Sequence, residues 1–373
     1  MKQNINISTI ISVIFMILIL YINFIYSTDY IIITKLIFFI NRNSEVKEVK
    51  EVGEFEKGYK WVGGILGKDG CIYGIPNASD KIIKINPNTN QIEYFGNLSK
   101  KSFKYTGGCL YDGKIYGFPR KSNNLLVINP QNKEVKEINL NMNYNEDIDD
   151  HHYSGTLYKN VVYLAPRAAH YILAINLDNY NVCKIGENVI PKSYRYCGAI
   201  LHNNGLIYFF PEKNSQVMIL NPKTKEIRFI GEKVNASAFS GAIAENENIY
   251  SFTAYSEGGI LRINPETEQV DIICKESVES GFYGTKVSTN GKMYSVIGLC
   301  NKIYEFDPKT EKVKIIKEIE RDTNEAMCAG GTLDKNGNIW FIPAYGSKIY
   351  ELEINQKLAF PKYILESVQF SNY

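Results

Sequence analysis

The stretch DGKIYGFPRKSNNLLVINPQNKEV at residues 112–135 restates DGCIYGIPNASDKIIKINPNTNQI at residues 69–92. A unit that recurs at a fixed interval cannot bury its apolar face alone, so the interval constrains the fold before any single residue does. With the small residue that opens each copy as an anchor, seven copies stand at Gly64, Gly108, Gly155, Gly198, Gly241, Gly284 and Gly331. The intervals are 44, 47, 43, 43, 43 and 47 residues. Apolar residues do not recur at i, i+3, i+4 and i+7. They form short runs, such as residues 81–85 and 125–128, broken by Gly, Asn and Pro, which is a strand pattern. Periods of about 40–50 residues holding several short strands are those of propeller blades.

One copy parses strand by strand. Residues 63–66 read as a first strand, Asp69-Gly70 as a hairpin turn, and residues 71–76 as a second strand. Residues 81–86 make a third strand, Asn86-Pro87 opens another turn, and residues 91–95 make a fourth. Four antiparallel strands in seven copies predict an all-β, seven-bladed β-propeller. The anchor glycine permits close approach where the first strands converge. An aromatic recurs in every second strand, at Tyr73, Tyr116, Tyr163, Tyr208, Tyr250, Tyr294 and Trp340, and reads as packing between blades.

The ring must also close. The seventh copy loses the pattern after its third strand, while residues 45–55, EVKEVKEVGEF, resemble the fourth strands EVKEI (134–138) and KVKIIKEI (312–319). Residues 45–56 are therefore expected to supply the outer strand of blade seven, leaving no open edge. The tail, residues 356–373, competes for that place through residues 363–370. The expected organisation is a signal anchor and linker at 1–44, the propeller at 45–355, and the tail.

The N-terminus differs in kind. Residues 3–28 carry no charge and residues 10–25 are almost wholly apolar, which suffices for one transmembrane helix or the core of a signal peptide. A cleavage site needs small residues and only Ser27 is offered at the end of the run, which favours an uncleaved signal anchor; secretion after cleavage is the alternative. Both place the propeller outside the cytoplasm. A second apolar run, residues 30–40, is interrupted by Lys35, is too short to span, and is expected to lie in the membrane interface. The net charge is +2, and no basic run is interleaved with aromatics, so no nucleic-acid partner is expected. Seven scattered cysteines without a C-x-x-C pair argue against a disulfide framework.

Topology locates a functional face. The fourth-to-first and second-to-third connections share one face of the disc, and these vary; on the other face the turns are short and uniform, leaving little room for a pocket. Three residues before each anchor stand Trp61, Tyr105, His152, Arg195, Ala238, Gly281 and Cys328, expected to ring the channel mouth. The second-to-third loops add Arg120, Arg167, His170, Glu212, Tyr255 and Tyr345, and the longest connection, residues 139–152, reads NLNMNYNEDIDDHH. Aromatic, histidine and arginine residues around a concavity suit a polar or anionic small ligand. The ligand-binding candidates are Trp61, Tyr105, His152, Arg195, Arg120, Arg167 and Glu212. His151 and His152 with Glu146, Asp147, Asp149 and Asp150 match no metal-ligand spacing, and no cofactor motif is present. His152 as general base with Arg195 as anion stabiliser would make a lyase or hydrolase; no nucleophile accompanies them.

The pattern DGKIYGFP…LLVINPQNKEVKEI resembles kelch-like, YncE-like and virginiamycin B lyase-like propellers over about residues 58–355. Kelch blades carry a Gly-Gly pair after the second strand and often a Trp in the fourth; here Pro76 or Pro119 follows, and no fourth strand holds Trp. Virginiamycin-lyase-like enzymes use histidine and glutamate in the channel, and this chain offers His152 without a matching set. The resemblance implies the fold and leaves two functions: a membrane-anchored, extracytoplasmic module binding an unknown small molecule or protein, or a propeller lyase or hydrolase acting at the channel mouth.

Overall fold

In the computed structural model, which describes residues 30–142, 150–359 and 361, the turns explain the repeat. In several blades an Asp or Asn of the tight first-to-second turn accepts a hydrogen bond from the backbone two residues on, as Asn204 does from the Leu206 N–H at 3.0 Å and Asn290 from that of Lys292 at 3.0 Å. The same side chain reaches the aromatic four residues on. Tyr73 Oη donates to Asp69 at 2.7 Å, while the Asn204, Asn246 and Asn290 amides donate to Tyr208, Tyr250 and Tyr294 at 2.9, 3.1 and 2.8 Å. The turn thus holds the polar tip of a ring whose body lies between blades, and no ring of the ladder is more than 6% exposed.

The strands assemble into seven four-stranded antiparallel sheets in ring order. Blade one comprises Trp61–Leu66, Ile72–Pro76, Ile82–Asn86 and Gln91–Phe95, and blade two Tyr105–Tyr111, Lys114–Pro119, Asn124–Asn129 and Glu134–Asn139. Blade seven takes its inner three strands, Cys328–Leu333, Ile339–Pro343 and Ile349–Ile354, from the end of the chain. Its outer strand, Val46–Val52, comes from near the start and pairs antiparallel with Ile349–Ile354. Blades meet closely at the anchors: a Cβ on Gly198 of blade four would lie 2.1 Å from the Phe239 carbonyl oxygen, in the connection leading into blade five.

Helix α1, Tyr30–Asn41, corrects one expectation. Instead of lying in a membrane interface, it packs on the disc, burying Ile33, Ile37 and Phe38 in the largest apolar cluster, beside Met293, Leu333 and Ile339. Lys35 pairs with Glu247 at 2.5 Å. Asn41, wholly buried, donates to the Leu358 carbonyl at 2.6 Å and accepts the Lys357 and Leu358 N–H groups at 2.6 and 3.0 Å. Ile32 and Phe39 stay 55% and 66% exposed. The helix covers the face of short turns, so that face is not featureless. The apolar run 10–25 and the strand expected at 363–370 lie outside the described residues, and among these no helix is long and apolar enough to cross a membrane.

Candidate functional site: the aromatic mouth of the channel

A one-residue displacement decides which side chains reach the channel. In blades one, two, three and seven the residue three before the anchor, Trp61, Tyr105, His152 or Cys328, pairs with the proline ending the second strand, and a bulge follows before the ladder resumes. These side chains bond away from the mouth. Trp61 Nε1 donates to the Lys81 carbonyl at 2.9 Å and its ring meets Phe55 and Tyr94 at 5.8 and 6.2 Å. Tyr105 donates to Glu137 in the outer strand of its own blade. His152 is wholly buried with Nε2 3.0 Å from the Tyr171 carbonyl oxygen, and burial depresses its pKa to about 3. In blade four the bulged pairing falls on Tyr196, which faces Pro211; Arg195, one residue earlier, is exposed. His152 and Arg195 therefore share no solvent-facing surface.

The next residue along takes the channel position, since successive strand side chains face opposite ways. Val62, Tyr153, Cys197, Phe239 and Ala329 form one buried cluster from five blades, with Tyr59, Tyr255, Tyr283 and Tyr345 against it. Phe239 stacks on Tyr283 at 4.8 Å and 16°, and Tyr59 on Tyr345 at 4.5 Å and 7°. The hydroxyls of Tyr255 and Tyr283 share a short hydrogen bond.

On this floor stands a chain of charges from three blades. Arg120, Arg167 and Glu212 each follow the proline closing a second strand, in FPR, APR and FPE. Arg120 donates through Nε and Nη2 to both Asp150 oxygens at 2.6 Å each, and through Nη1 to Tyr59 at 3.2 Å. Arg167 Nη1 donates to Asp150 at 2.5 Å, while its Nε and Nη2 reach the two Glu212 oxygens at 3.1 Å each. Tyr153 lies between the two guanidiniums, 4.6 and 5.0 Å from its ring centre, and Phe103 flanks Arg120 at 4.4 Å. Burial pushes the Asp150 carboxyl up, but the hydrogen bonds and charge of Arg120, then the charge of Arg167, outweigh it and hold the pKa below the usual carboxylate value.

Of the expected residues, the structure joins Arg120, Arg167 and Glu212, sets Tyr255 and Tyr345 beside them, and places Trp61, Tyr105, His152 and Arg195 elsewhere. Tyr59, Phe103, Tyr153, Phe239 and Tyr283 were not singled out in the sequence, and Asp150 entered only as a metal donor. The available signal was the charged residue directly after the strand-closing proline in three consecutive blades. Among the described residues each of the two guanidiniums already faces a carboxylate, with Lys121 5.4 Å from the Phe103 ring centre beside them, so neither arginine is a free anion trap. Among the described residues no three His, Cys, Asp or Glu side chains converge as a metal site; Glu146, Asp147 and Asp149 lie outside them.

Residues 63–230 match DUF6923, a repeat of unknown function. No curated protein sequence matches the chain. Solved structures do. A streptogramin B lyase superposes with a TM-score of 0.67 at 15% identity, covering 83% of this chain and 98% of its own. A catalytically inactive variant of virginiamycin B lyase from Staphylococcus aureus, with quinupristin, gives 0.68 at 14% identity, covering 82% and 98%. The extracellular domain of a one-component system from B. thetaiotaomicron gives 0.60 at 14% identity, covering 82% of this chain and 40% of that one. Identities this low speak to fold alone. The chain is a seven-bladed β-propeller similar in fold to virginiamycin B lyase and to the extracellular domain of a bacterial one-component system.

Proposed function

We propose that this protein is a membrane-anchored, extracytoplasmic binding module that takes a neutral, partly planar ligand at the aromatic mouth of its channel. The observation that carries the reading is the Arg120–Asp150–Arg167–Glu212 chain laid over stacked aromatics. Its donors and acceptors are held by one another and by cation–π contacts, so little side-chain freedom remains to be lost on binding. A neutral ligand with hydrogen-bonding edges leaves the pairs intact, whereas an anion would have to displace a carboxylate. The uncharged residues 3–28 support a signal anchor, and the fold likeness to an extracellular sensor domain supports location outside the cytoplasm. A lyase or hydrolase working through His152 and Arg195 is not favoured, because one is sealed in the blade and the other faces solvent.

The test is a thermal-shift screen of neutral aromatic and cyclic peptide-like compounds on the full chain in detergent, repeated on Arg167→Met and Tyr345→Leu. A compound that stabilises the wild type and loses most of its effect in both variants supports the site. Equal stabilisation of all three proteins, or turnover of the compound, overturns it. Protease digestion of intact and permeabilised cells checks the location: a propeller cleaved only after permeabilisation of the cytoplasmic membrane refutes an extracytoplasmic domain.

A further inference from the structure

The mouth is divided into two unlike halves, and backbone hydrogen bonds reveal the division. In every blade a residue just past the second strand donates its N–H to the carbonyl of a residue leading into the first, at 2.8–3.0 Å. The donors therefore occupy equivalent places around the channel. In blades two, three and four they are Arg120, Arg167 and Glu212; in blades five, six and seven they are Ala254, Leu299 and Ala344. Asn77 of blade one is wholly buried, bonded to the Tyr105 carbonyl and the Phe103 N–H at 2.7 and 2.9 Å. Charge thus fills one arc of consecutive blades, and hydrocarbon side chains fill the next. Tyr255, Tyr283 and Tyr345 belong to this apolar arc, and all three are half-buried. Tyr345 joins the arc to Tyr59 through their stacked rings.

The charged arc is paired in charge but not filled in hydrogen bonds. A guanidinium has about five N–H donors and a carboxylate about four lone-pair sites. Among the described residues, Arg120 and Arg167 each donate three bonds to side chains, Asp150 accepts three and Glu212 two. Arg167, Asp150 and Glu212 stay partly open to solvent. Remaining donors and acceptors therefore stand side by side. An anion uses only the donors and a cation only the acceptors, whereas a hydroxyl group uses both at once.

We propose that the ligand of the mouth is a neutral pyranose saccharide, seated with its hydroxyl edge against the charged arc and its C–H face on the tyrosines of the apolar arc. This rests on the reading of the mouth as a neutral-ligand site. The face of an aromatic ring is the negative part of its quadrupole, and C–H groups carry a small positive charge. A sugar face complements the tyrosines directly, whereas an aromatic ring must sit offset or edge-on. Neighbouring ring hydroxyls also suit the forked geometry of a carboxylate or a guanidinium.

The test is calorimetric titration of the full chain, in a detergent that contains no sugar, with short oligosaccharides of glucose, galactose, mannose and N-acetylglucosamine. At least one is expected to bind. Its permethylated form keeps the C–H face but loses every hydroxyl donor, and should bind at least about tenfold more weakly. Tyr345→Phe keeps the ring and should stay within about threefold of the wild type, while Tyr345→Leu should lose about tenfold. That pair separates a lost stacking face from damage to the fold, which thermal melts of both variants also monitor. Failure of every saccharide to bind overturns the saccharide class; the mouth still stands as a site if a compound from the thermal-shift screen binds it in a Tyr345-dependent way. A polyproline peptide that binds there where no saccharide does overturns the class in favour of a protein partner. A saccharide held equally by the wild type and Tyr345→Leu binds elsewhere, and that result overturns the proposal together with the mouth.

Discussion

Asp150 is the keystone of the mouth, and replacing it by asparagine is the sharpest test of how the blades are tied. Its carboxylate takes two hydrogen bonds from Arg120 and one from Arg167. The Arg120 side chain is 8% exposed, Arg167 20% and Asp150 22%. Removing one member of a buried pair costs about 3–5 kcal/mol because the partner charge is left behind; the residual access of water to Asp150 places D150N near the lower end, about 3 kcal/mol. E212Q is the internal control. Arg167 keeps its bond to Asp150 and some solvent, so the expected loss is only about 1 kcal/mol. Urea unfolding at pH 7 reads both as midpoint shifts with unchanged slope. The folded pKa of Asp150 is depressed, so its contribution is fully present above the unfolded value and is lost as pH falls through the folded value. Wild type and D150N should therefore differ fully at pH 7 and converge only in strong acid. A D150N shift no larger than that of E212Q, or a difference already gone at pH 5, would show that water screens the chain of charges and that the rigidity argument for the site fails.

Three further outcomes follow from named contacts. Lys286 binds fewer protons folded than unfolded between its buried value of about 7 and the ordinary lysine value, so it makes stability rise with pH across that window. Between pH 7 and 9 the wild type should gain about 2 kcal/mol relative to Lys286→Met; parallel urea stabilities at the two pH values would contradict the burial. Gly198→Ala sets a methyl against the Phe239 carbonyl oxygen, 2.1 Å away, where backbone of the next repeat must move. A loss of about 2 kcal/mol or more is expected, and a neutral result in thermal melts would mean the blades are not in close contact there. Deleting residues 45–52 uncovers the Ile349–Ile354 edge and opens the ring; calorimetry should lose its single cooperative transition, and an unchanged transition would disprove the clasp.

Much of the fold was legible along the chain because its signals are local. An Asp or Asn in a turn, an aromatic a few residues later and, in five of the seven blades, a proline ending the strand are all encoded within a dozen residues. The same locality made Arg120, Arg167 and Glu212 readable as loop residues following a proline. Repetition alone implied the sevenfold ring, since no blade can bury both its faces by itself.

Tertiary structure decided what local signals do not carry. The bulges at the anchors of blades one, two and three shift strand alternation by one residue, sending Trp61, Tyr105 and His152 toward the blades and bringing Tyr153 and its neighbours to the channel. The run at 30–40 shows an apolar helix in either setting, and only the disc it covers distinguishes a docked roof from an interfacial one. Arg120 meets Tyr59 across 61 residues and Arg167 meets Glu212 across 45. Such meetings exist only after the ring closes, because side-chain direction follows from a two-residue period while convergence follows from the path of the whole backbone.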